Sequence, residues 1–348
     1  MTSLSDYDYD LPRELIAQHP LPNRIDSRLM VVNRRTDELT HEHIRDLPTV
    51  LRSDDLLVLN NTRVLPARLV GFRTMTGGKW QGLYLTEDAQ GHWCILGKTR
   101  GKLEADETIT LTDRRGHADT TLRLVVRMDE GQWAVRPETD EPTQKILERV
   151  GRVPLPHYIR EGEMQEQDWQ RYQTVFAQKP GSVAAPTAGL HFTDTLIQQL
   201  RDAGIEIQYV TLHVGIGTFR PISSENLEEH IMHSEQCELD EGVADAIRAA
   251  KRAGRRVLAV GTTSVRVLES AARSGEIQAW RGPTDLFIRP GFDFHVVDGL
   301  LTNFHLPRSS LLVLVRTFGG DSLMRRAYQA AVDDCYRFYS YGDAMLIV

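Results

Sequence analysis

Between Arg68 and Pro142 the chain carries no helical period of useful length. In its place run short alternating segments, WQGLYLT, HWCILGK, ETITLTD, TTLRLVVRM and QWAVRPE, separated by turn signals at close spacing. A period of two sends alternate side chains to opposite faces, and strands this short and this closely joined read as a small antiparallel sandwich or barrel. The texture differs on either side. Upstream, DDLLVLNNTRVLPARLVGF is an apolar strand, a polar Asn-Asn-Thr-Arg break and a second β-rich run. Downstream, helices and strands alternate. TDTLIQQLRDAG has Thr193 as a cap and Gly204 as a stop, and the strand IEIQYVTLHV follows at once. DEGVADAIRAAKRAG is a helix ending at Gly254, RRVLAV a buried strand, and TTSVRVLESAARSG a helix ending at Gly275. DLFIRP and VVDGLLTNF read as strands, with helices starting at Ser309 and Asp321. Such alternation implies βαβ units. The expected fold is therefore α/β, a mostly parallel sheet with flanking helices, plus an inserted antiparallel β domain, either a sandwich or a barrel. The boundaries are 1–66 and 143–348 for the discontinuous α/β domain and 67–142 for the insertion.

Charge and apolar content narrow the function. The net charge of −7 argues against a nucleic-acid binder that relies on bulk electrostatics, while leaving room for local basic faces such as Arg34-Arg35, Arg63 and Arg325-Arg326. The longest apolar runs, such as LLVLV from Leu311, fall far short of the roughly 18 residues of a membrane span. Cys94, Cys237 and Cys335 are far apart and odd in number, which fits neither a disulfide framework nor a CxxC zinc site. A cytoplasmic protein with no membrane partner is the expectation.

Four segments combine small residues with reactive ones. GSVAAPTAGLHF has no charged side chain over twelve residues and ends in His191 before a helix, so Thr187 and Gly189 lie where backbone amides meet a polar ligand edge or, equally, where a turn packs on a strand. TLHVGIGTFRP runs from a strand into Gly-x-Gly-Thr, placing His213, Gly215, Gly217 and Thr218 at the carboxyl end of that strand, the usual ligand side of an α/β sheet. The Gly-x-Gly-x-x-Gly pattern is not met, and a hairpin or bulge accounts for the glycines as well. EEHIMHSE sets His230 and His233 three apart, on one face if helical, with Glu235 close by. No third ligand at recognisable spacing accompanies them, so acid–base or substrate-binding roles are favoured and no metal is expected. In AVGTTSVR a buried strand ends at Gly261 and a helix opens on Thr262, Thr263 and Ser264, with Arg266 one turn on. Orphan amides, hydroxyls and a guanidinium make a carboxylate or phosphate cradle, or simply an N-cap beside a solvated arginine.

The segments QHPLPNRIDSRL, DDLLVLNNTRVLPARL, YQTVFAQKPGSVAAPTAGLHFT, VTLHVGIGTFRPI, EEHIMHSE, VGTTSVRVLES, DLFIRPGFDFHVVDGLLTNFHLP and YRFYSYGDAMLI follow one another from Gln18 to Ile347. In this order they resemble the S-adenosylmethionine:tRNA ribosyltransferase-isomerases of queuosine biosynthesis. The resemblance implies an α/β domain with an inserted β-barrel. It also implies a transferase for which S-adenosylmethionine is a consumed ribosyl donor. The acceptor would be 7-aminomethyl-7-deazaguanine at the tRNA wobble position, the product epoxyqueuosine, with adenine and methionine released. No metal or redox cofactor is implied, and a monomer is expected.

With that chemistry, His191 or His213 is expected as the base, and His230 with His233 as a second acid–base pair. Ala185 to Leu190 would form a neutral wall against the adenosyl or deazaguanine group. Arg266 and the hydroxyls of Thr262, Thr263 and Ser264 would receive the methionine carboxylate. Asn60, Asn61, Thr62 and Arg63, at the handover between domains, would contact substrate or the anticodon loop, and Phe219, Phe304, Tyr339 and Tyr341 are candidates to stack on a splayed base. The insertion departs from the family pattern in GGKWQGLYL, where Gln81 replaces a glutamate and Gly82 follows it. Two other classes remain open. An S-adenosylmethionine-dependent RNA methyltransferase would show a Gly-rich first loop, which is not found. A metal hydrolase would be built on His191, His213, His230 and His233.

Overall fold

The computed structural model describes residues 3–215, 217, 222 and 224–348. Two compact units result, one of Met1–Arg63, Tyr158–Glu161 and Arg171–Val348, the other of Val64–His157 and Gly162–Gln170. The chain opens with β1 (Arg28–Asn33), β2 (Glu38–His43), the single turn α1 (Leu47–Val50), β3 (Leu56–Asn60) and β4 (Thr62–Val64). Then come β5 (Arg68–Arg73), β6 (Lys79–Glu87), β7 (Trp93–Thr99), β8 (Thr108–Thr112), β9 (Ala118–Arg127) and β10 (Gln132–Pro137), followed by α2 (Thr143–Val150) and α3 (Asp168–Arg171). Next are β11 (Lys179–Ser182), α4 (Asp194–Asp202), β12 (Glu206–Leu212), β13 (Glu235–Leu239), α5 (Glu241–Arg252) and β14 (Val257–Val260). The chain finishes with α6 (Thr262–Ala271), β15 (Trp280–Thr284), β16 (Gly299–Asn303), α7 (Ser310–Gly319), α8 (Asp321–Asp333) and β17 (Ala344–Ile347).

The second unit is a closed antiparallel barrel in the order β10-β7-β6-β5-β8-β9. Its six strands fall between residues 68 and 137, inside the expected 67–142, and the compact unit also takes in α2 and residues 162–170. Gly82, where the sequence leaves the family pattern, is matched to its neighbour. Trp80 is 1% exposed, and a side chain at Gly82 would collide with its ring.

The first unit is built on a sheet ordered β15-β13-β12-β3-β14-β16-β17-β1-β2. Its centre is parallel as expected, with β12–β3, β3–β14 and β14–β16 all running together, and β17–β1 is parallel too. The remaining joins are antiparallel, so the sheet is mixed. β1 returns to β2 through the short segment 34–37, which only an antiparallel pair allows, whereas parallel neighbours need a longer crossover. The strand expected over 285–290 is not formed. Arg266 donates from Nε to the Leu286 carbonyl at 3.1 Å and from Nη2 to the Thr284 carbonyl at 3.3 Å, holding a segment outside any ladder, while Trp280–Thr284 makes the edge strand.

Alternation in the central strands supplies both cores. Leu56 and Val58 of β3, with Val257 and Ala259 of β14, face α5, α6, α7 and α8. Leu57, Leu59, Leu258 and Val260 face α4, Phe176 and Phe192. Strands covered on both faces read as continuous apolar runs, which is why LLVL and VLAV show no polar positions. The caps read from sequence are present. Thr193 Oγ1 accepts from the Leu196 amide at 3.1 Å and Ser309 Oγ from the Leu312 amide at 3.2 Å.

The uncharged stretch before α4 packs against its own chain. Ala188 is 2% exposed in the lower core, and a Cβ at Gly189 would lie 2.9 Å from both Phe176 Cζ and Thr174 Cγ2. The small residue there accommodates Thr174 and Phe176, correcting the expectation that Gly189 makes room for a ligand. Gly189→Ala is expected to destabilise the protein by roughly 1–3 kcal/mol through overpacking, seen as a lower urea midpoint with an unchanged slope.

Candidate active site

Because β12, β3, β14 and β16 run parallel, their carboxyl ends lie side by side, the edge where α/β sheets bind ligands. Asn60, the last residue of β3, ties that edge together. It is 1% exposed, and its Nδ2 donates to the Leu212 carbonyl at 3.0 Å and to Thr263 Oγ1 at 3.1 Å. Its Oδ1 accepts from the amides of Leu212 and Thr62, both at 3.1 Å. Both donors and both lone pairs of the carboxamide are used. Asn60 therefore positions β12 and the start of α6, and its expected role as a substrate ligand is corrected.

Glu235 opens β13 and Arg266 lies in the second turn of α6. Their side chains are 4% and 6% exposed, and Arg266 Nη1 pairs with Glu235 Oε2. Glu235 Oε1 also accepts from the Gly215 amide at 2.8 Å. Arg266 is thus committed to Glu235 and to two main-chain carbonyls, which corrects the expectation that it waits for a ligand carboxylate. Burial without a partner would expel either charge, so each holds the other in place.

Over this pair opens a cleft of about 400 Å³, a size that suits a nucleoside-like ligand. One wall is apolar, made by Leu286, Phe287, Ile288, Leu311 and Leu314. The other carries His230, His233, Thr262 and Thr263, with Gly217 between. The α6 amino end has no side-chain cap, so its first amides are available to a polar ligand edge. His230 stands edge-on to Phe287 with ring centroids 5.1 Å apart. Burial, and the neighbouring His233, lower its proton affinity.

The queuosine biosynthesis protein family matches residues 4–347. The chain belongs to that family. S-adenosylmethionine:tRNA ribosyltransferase-isomerases from Desulfitobacterium hafniense and Halothermothrix orenii are each 46% identical to it, with 99% of this chain and 99% of each relative aligned. A crystal structure of an S-adenosylmethionine tRNA ribosyltransferase from Thermotoga maritima is 33% identical and covers 99% of this chain and 100% of its own, with a TM-score of 0.57.

In this member of the queuosine family the four sequence motifs meet the strand edge, but the four histidines part company. His230 and His233 share the cleft, although the segment is a short 3-10 turn, Leu227–Glu229, followed by irregular chain rather than the helix assumed for it. Gly217 is close-packed on His233, whose ring a Cβ would strike. His213, just past β12, shares a hydrogen bond of 2.8 Å with Thr62 Oγ1, and burial lowers its proton affinity. His191 closes a 3-10 turn, Thr187–His191, and is 4% exposed. Asn303 Nδ2 donates to its Nε2 at 3.2 Å, placing the imidazole proton on Nδ1. Burial, then Arg24 and Arg337, depress its pKa to about 4. Among the described residues no three His, Cys, Asp or Glu side chains gather as metal ligands, so the grouping assumed for a metal hydrolase is not formed.

The remaining expectations divide. Thr262 and Thr263 line the cleft, Gly215 donates to Glu235, and Thr187 is half-buried at the start of its turn. Ser264 Oγ donates back to the Val260 carbonyl at 2.8 Å and is fully buried, so it is a helix-end hydrogen bond and not a ligand group. Tyr341 is 4% exposed, edge-on to Tyr172 at 6.0 Å, and lines a small pocket with Arg24 and His191. Phe304 is a core residue packed on Tyr336 and Phe338, and Tyr339 is buried against Tyr158, so neither is an exposed stacking platform. Arg63 is exposed. Thr218 and Phe219 lie outside the described residues. Sequence reasoning passed over Asn303, Arg24 and Arg337, the groups around His191. Their signal lay in PNRIDSRL, LLTNFHLP and YRFYSYGD, segments that carried the resemblance without a role for each residue.

Two outcomes follow from the electrostatics. Arg266→Ala leaves the Glu235 carboxylate buried without its cation and is expected to cost about 3–5 kcal/mol of stability, whereas Arg266→Met combined with Glu235→Gln recovers most of it in the same urea titration. His191 and His305 are buried, with pKa values depressed from 6.5 to about 4 and about 3. The unfolded chain takes up those protons first. Stability is then constant above pH 6.5 and falls as the pH drops from 6.5 toward 4, by about 2 kcal/mol per histidine at pH 5. His191→Asn should shrink the difference between urea midpoints at pH 7 and pH 5.

Proposed function

We propose that this chain transfers and isomerises the ribosyl group of S-adenosylmethionine onto 7-aminomethyl-7-deazaguanine at the tRNA wobble position, giving epoxyqueuosine and releasing adenine and methionine. The observation that carries the reading is the end-to-end correspondence with ribosyltransferase-isomerases, at 46% identity over 99% of both chains. The cleft at the strand ends supports it physically.

In this reading the adenosyl group lies in the cleft against Phe287 and Leu314, with a polar edge on the first amides of α6 and on Thr262 and Thr263. The reaction needs a base for the proton on the carbon beside the sulfonium, an amine free to attack, and an acid to help adenine leave. A bare carboxylate in the wall would hold the sulfonium in the ground state by charge. The buried carboxylate there, Glu235, is neutralised by Arg266, so the cleft presents imidazoles in place of a bare carboxylate. His230, with its lowered proton affinity, is unprotonated at neutral pH and takes the proton; His233 beside it serves as the partner in the return transfer. His191 and His213 act through structure, the first holding Asn303 at the end of β16 and the second holding Thr62. Arg63, an exposed cation, is placed to contact anticodon-loop phosphate while the reactive base is splayed from its stack. No cofactor beyond the consumed S-adenosylmethionine enters. The protein works as a cytoplasmic monomer, and no helix among its described residues is long and apolar enough to cross a membrane.

The test is incubation of metal-stripped protein with S-adenosylmethionine and an anticodon stem-loop bearing the aminomethyl-deazaguanine, followed by mass spectrometry. Free adenine, free methionine and a ribosyl-derived mass gain on the RNA are expected. S-adenosylhomocysteine with a methyl gain, or dependence on restored metal, refutes the reading. His230→Ala should lower kcat by roughly 10²–10⁴. Because the base must be unprotonated and its pKa is lowered, the acid limb of kcat/KM should have its midpoint below 6.5; a midpoint above that value assigns the base elsewhere.

A further inference from the structure

A second cavity, a groove of about 480 Å³, lies away from the cleft, at the amino ends of β3, β14 and β16. It is lined by Arg34, Arg35, Arg52, Lys251, Arg255 and Arg256, against one acidic side chain, Asp298. Three of the six cations are matched. Arg256 makes a two-pronged pair with the buried Asp55 at 2.8 and 2.6 Å, Arg255 pairs with Glu206 at 2.9 Å, and Lys251 with Asp298 at 2.9 Å. Lys251 also sits in the last turn of α5, where a cation complements the helix dipole. These side chains are explained by the fold.

The other three are not. Arg35 and Arg52 are exposed, and neither side chain makes a hydrogen bond or ion pair with the described residues. Arg34 is held rigidly, its guanidinium 4.2 Å over the Phe318 ring and bonded to the Phe318 and Asp298 carbonyls, yet it pairs with no carboxylate and its buried Nε has no partner. An acidic chain of net charge −7 thus concentrates unmatched positive charge in one open groove. The Phe318 face is taken by Arg34 and no other aromatic ring lines the groove, so it offers cations for the phosphate oxygens of a backbone and no platform for a base. The five residues of β3 separate this groove from the cleft by roughly 15 Å, a span beyond a small substrate and within reach of a folded RNA.

We propose that this groove binds the phosphate backbone of the tRNA substrate, as a sequence-independent contact distinct from the site of chemistry. The proposal rests on the function proposed above.

The test uses full-length tRNA and the double variant Arg35→Ala/Arg52→Ala, which removes two exposed, unpartnered side chains and leaves the fold's ion pairs untouched. Binding is measured across a salt series, with the KM for S-adenosylmethionine as a control. The expected result is about tenfold weaker tRNA binding near 0.1 M salt, with the slope of log K against log salt shallower by about 1–2. Unchanged affinity and slope overturn the proposal. So does a small-anion site, recognised if tripolyphosphate binds the wild type through these arginines while tRNA affinity is the same in variant and wild type. Failure of the wild type to bind tRNA at all instead refutes the proposed function.

Discussion

The carboxamide of Asn60 is the constraint on which the working edge of the sheet depends. A buried amide must satisfy two donors and two acceptors or destabilise the fold. Asn60 does so with the main chain of Leu212 and Thr62 and the hydroxyl of Thr263, which come from β12, β4 and α6. One side chain therefore sets how the loop after β12 and the first turn of α6 stand relative to β3. The next pair, Glu235 with Arg266, is placed by the same elements, and Glu235 reaches back to the Gly215 amide. The cleft is what remains open between these fixed points and the apolar wall of Leu286, Phe287 and Ile288.

Its electrostatics follow from this arrangement. A free carboxylate facing a sulfonium would bind substrate and transition state alike and so would not accelerate the chemistry. Burying Glu235 against a guanidinium keeps the shape of the wall while removing its charge. His230, whose proton affinity burial lowers, stands in the cleft beside that wall. The unmatched arginines stand at the other end of the strands, where they do not disturb that balance.

Much of this was legible along the chain. The antiparallel insertion followed from alternating segments in which every strand pairs with a neighbour close in sequence, its closure as a barrel from the family resemblance, and the α/β half from helices whose caps, Thr193 and Ser309, are local devices. Four motifs carry reactive residues among small ones, and the rule that α/β sheets bind ligands at their strand carboxyl ends places His213 at the edge of β12. What was misread has a common cause. Arg266, Ser264, Asn60 and Gly189 carry side chains or spaces suited to a ligand, and each is used instead by a partner distant in sequence or by the helix end it belongs to. Asn303 and Arg337 were missed because an asparagine or arginine within a strand or loop shows its role only through what it faces.

The sequence by itself determined the class of fold, the inserted β domain and the family, because periodicity, caps and ordered motifs are properties of short stretches of chain. Only the tertiary structure decided which histidines share a cleft, which charges cancel and which arginines stay unmatched. Those are matters of burial and of partnership between separate elements, at times across more than a hundred residues, as when Asn303 meets His191 and Asn60 meets Thr263, and no local pattern encodes the partner.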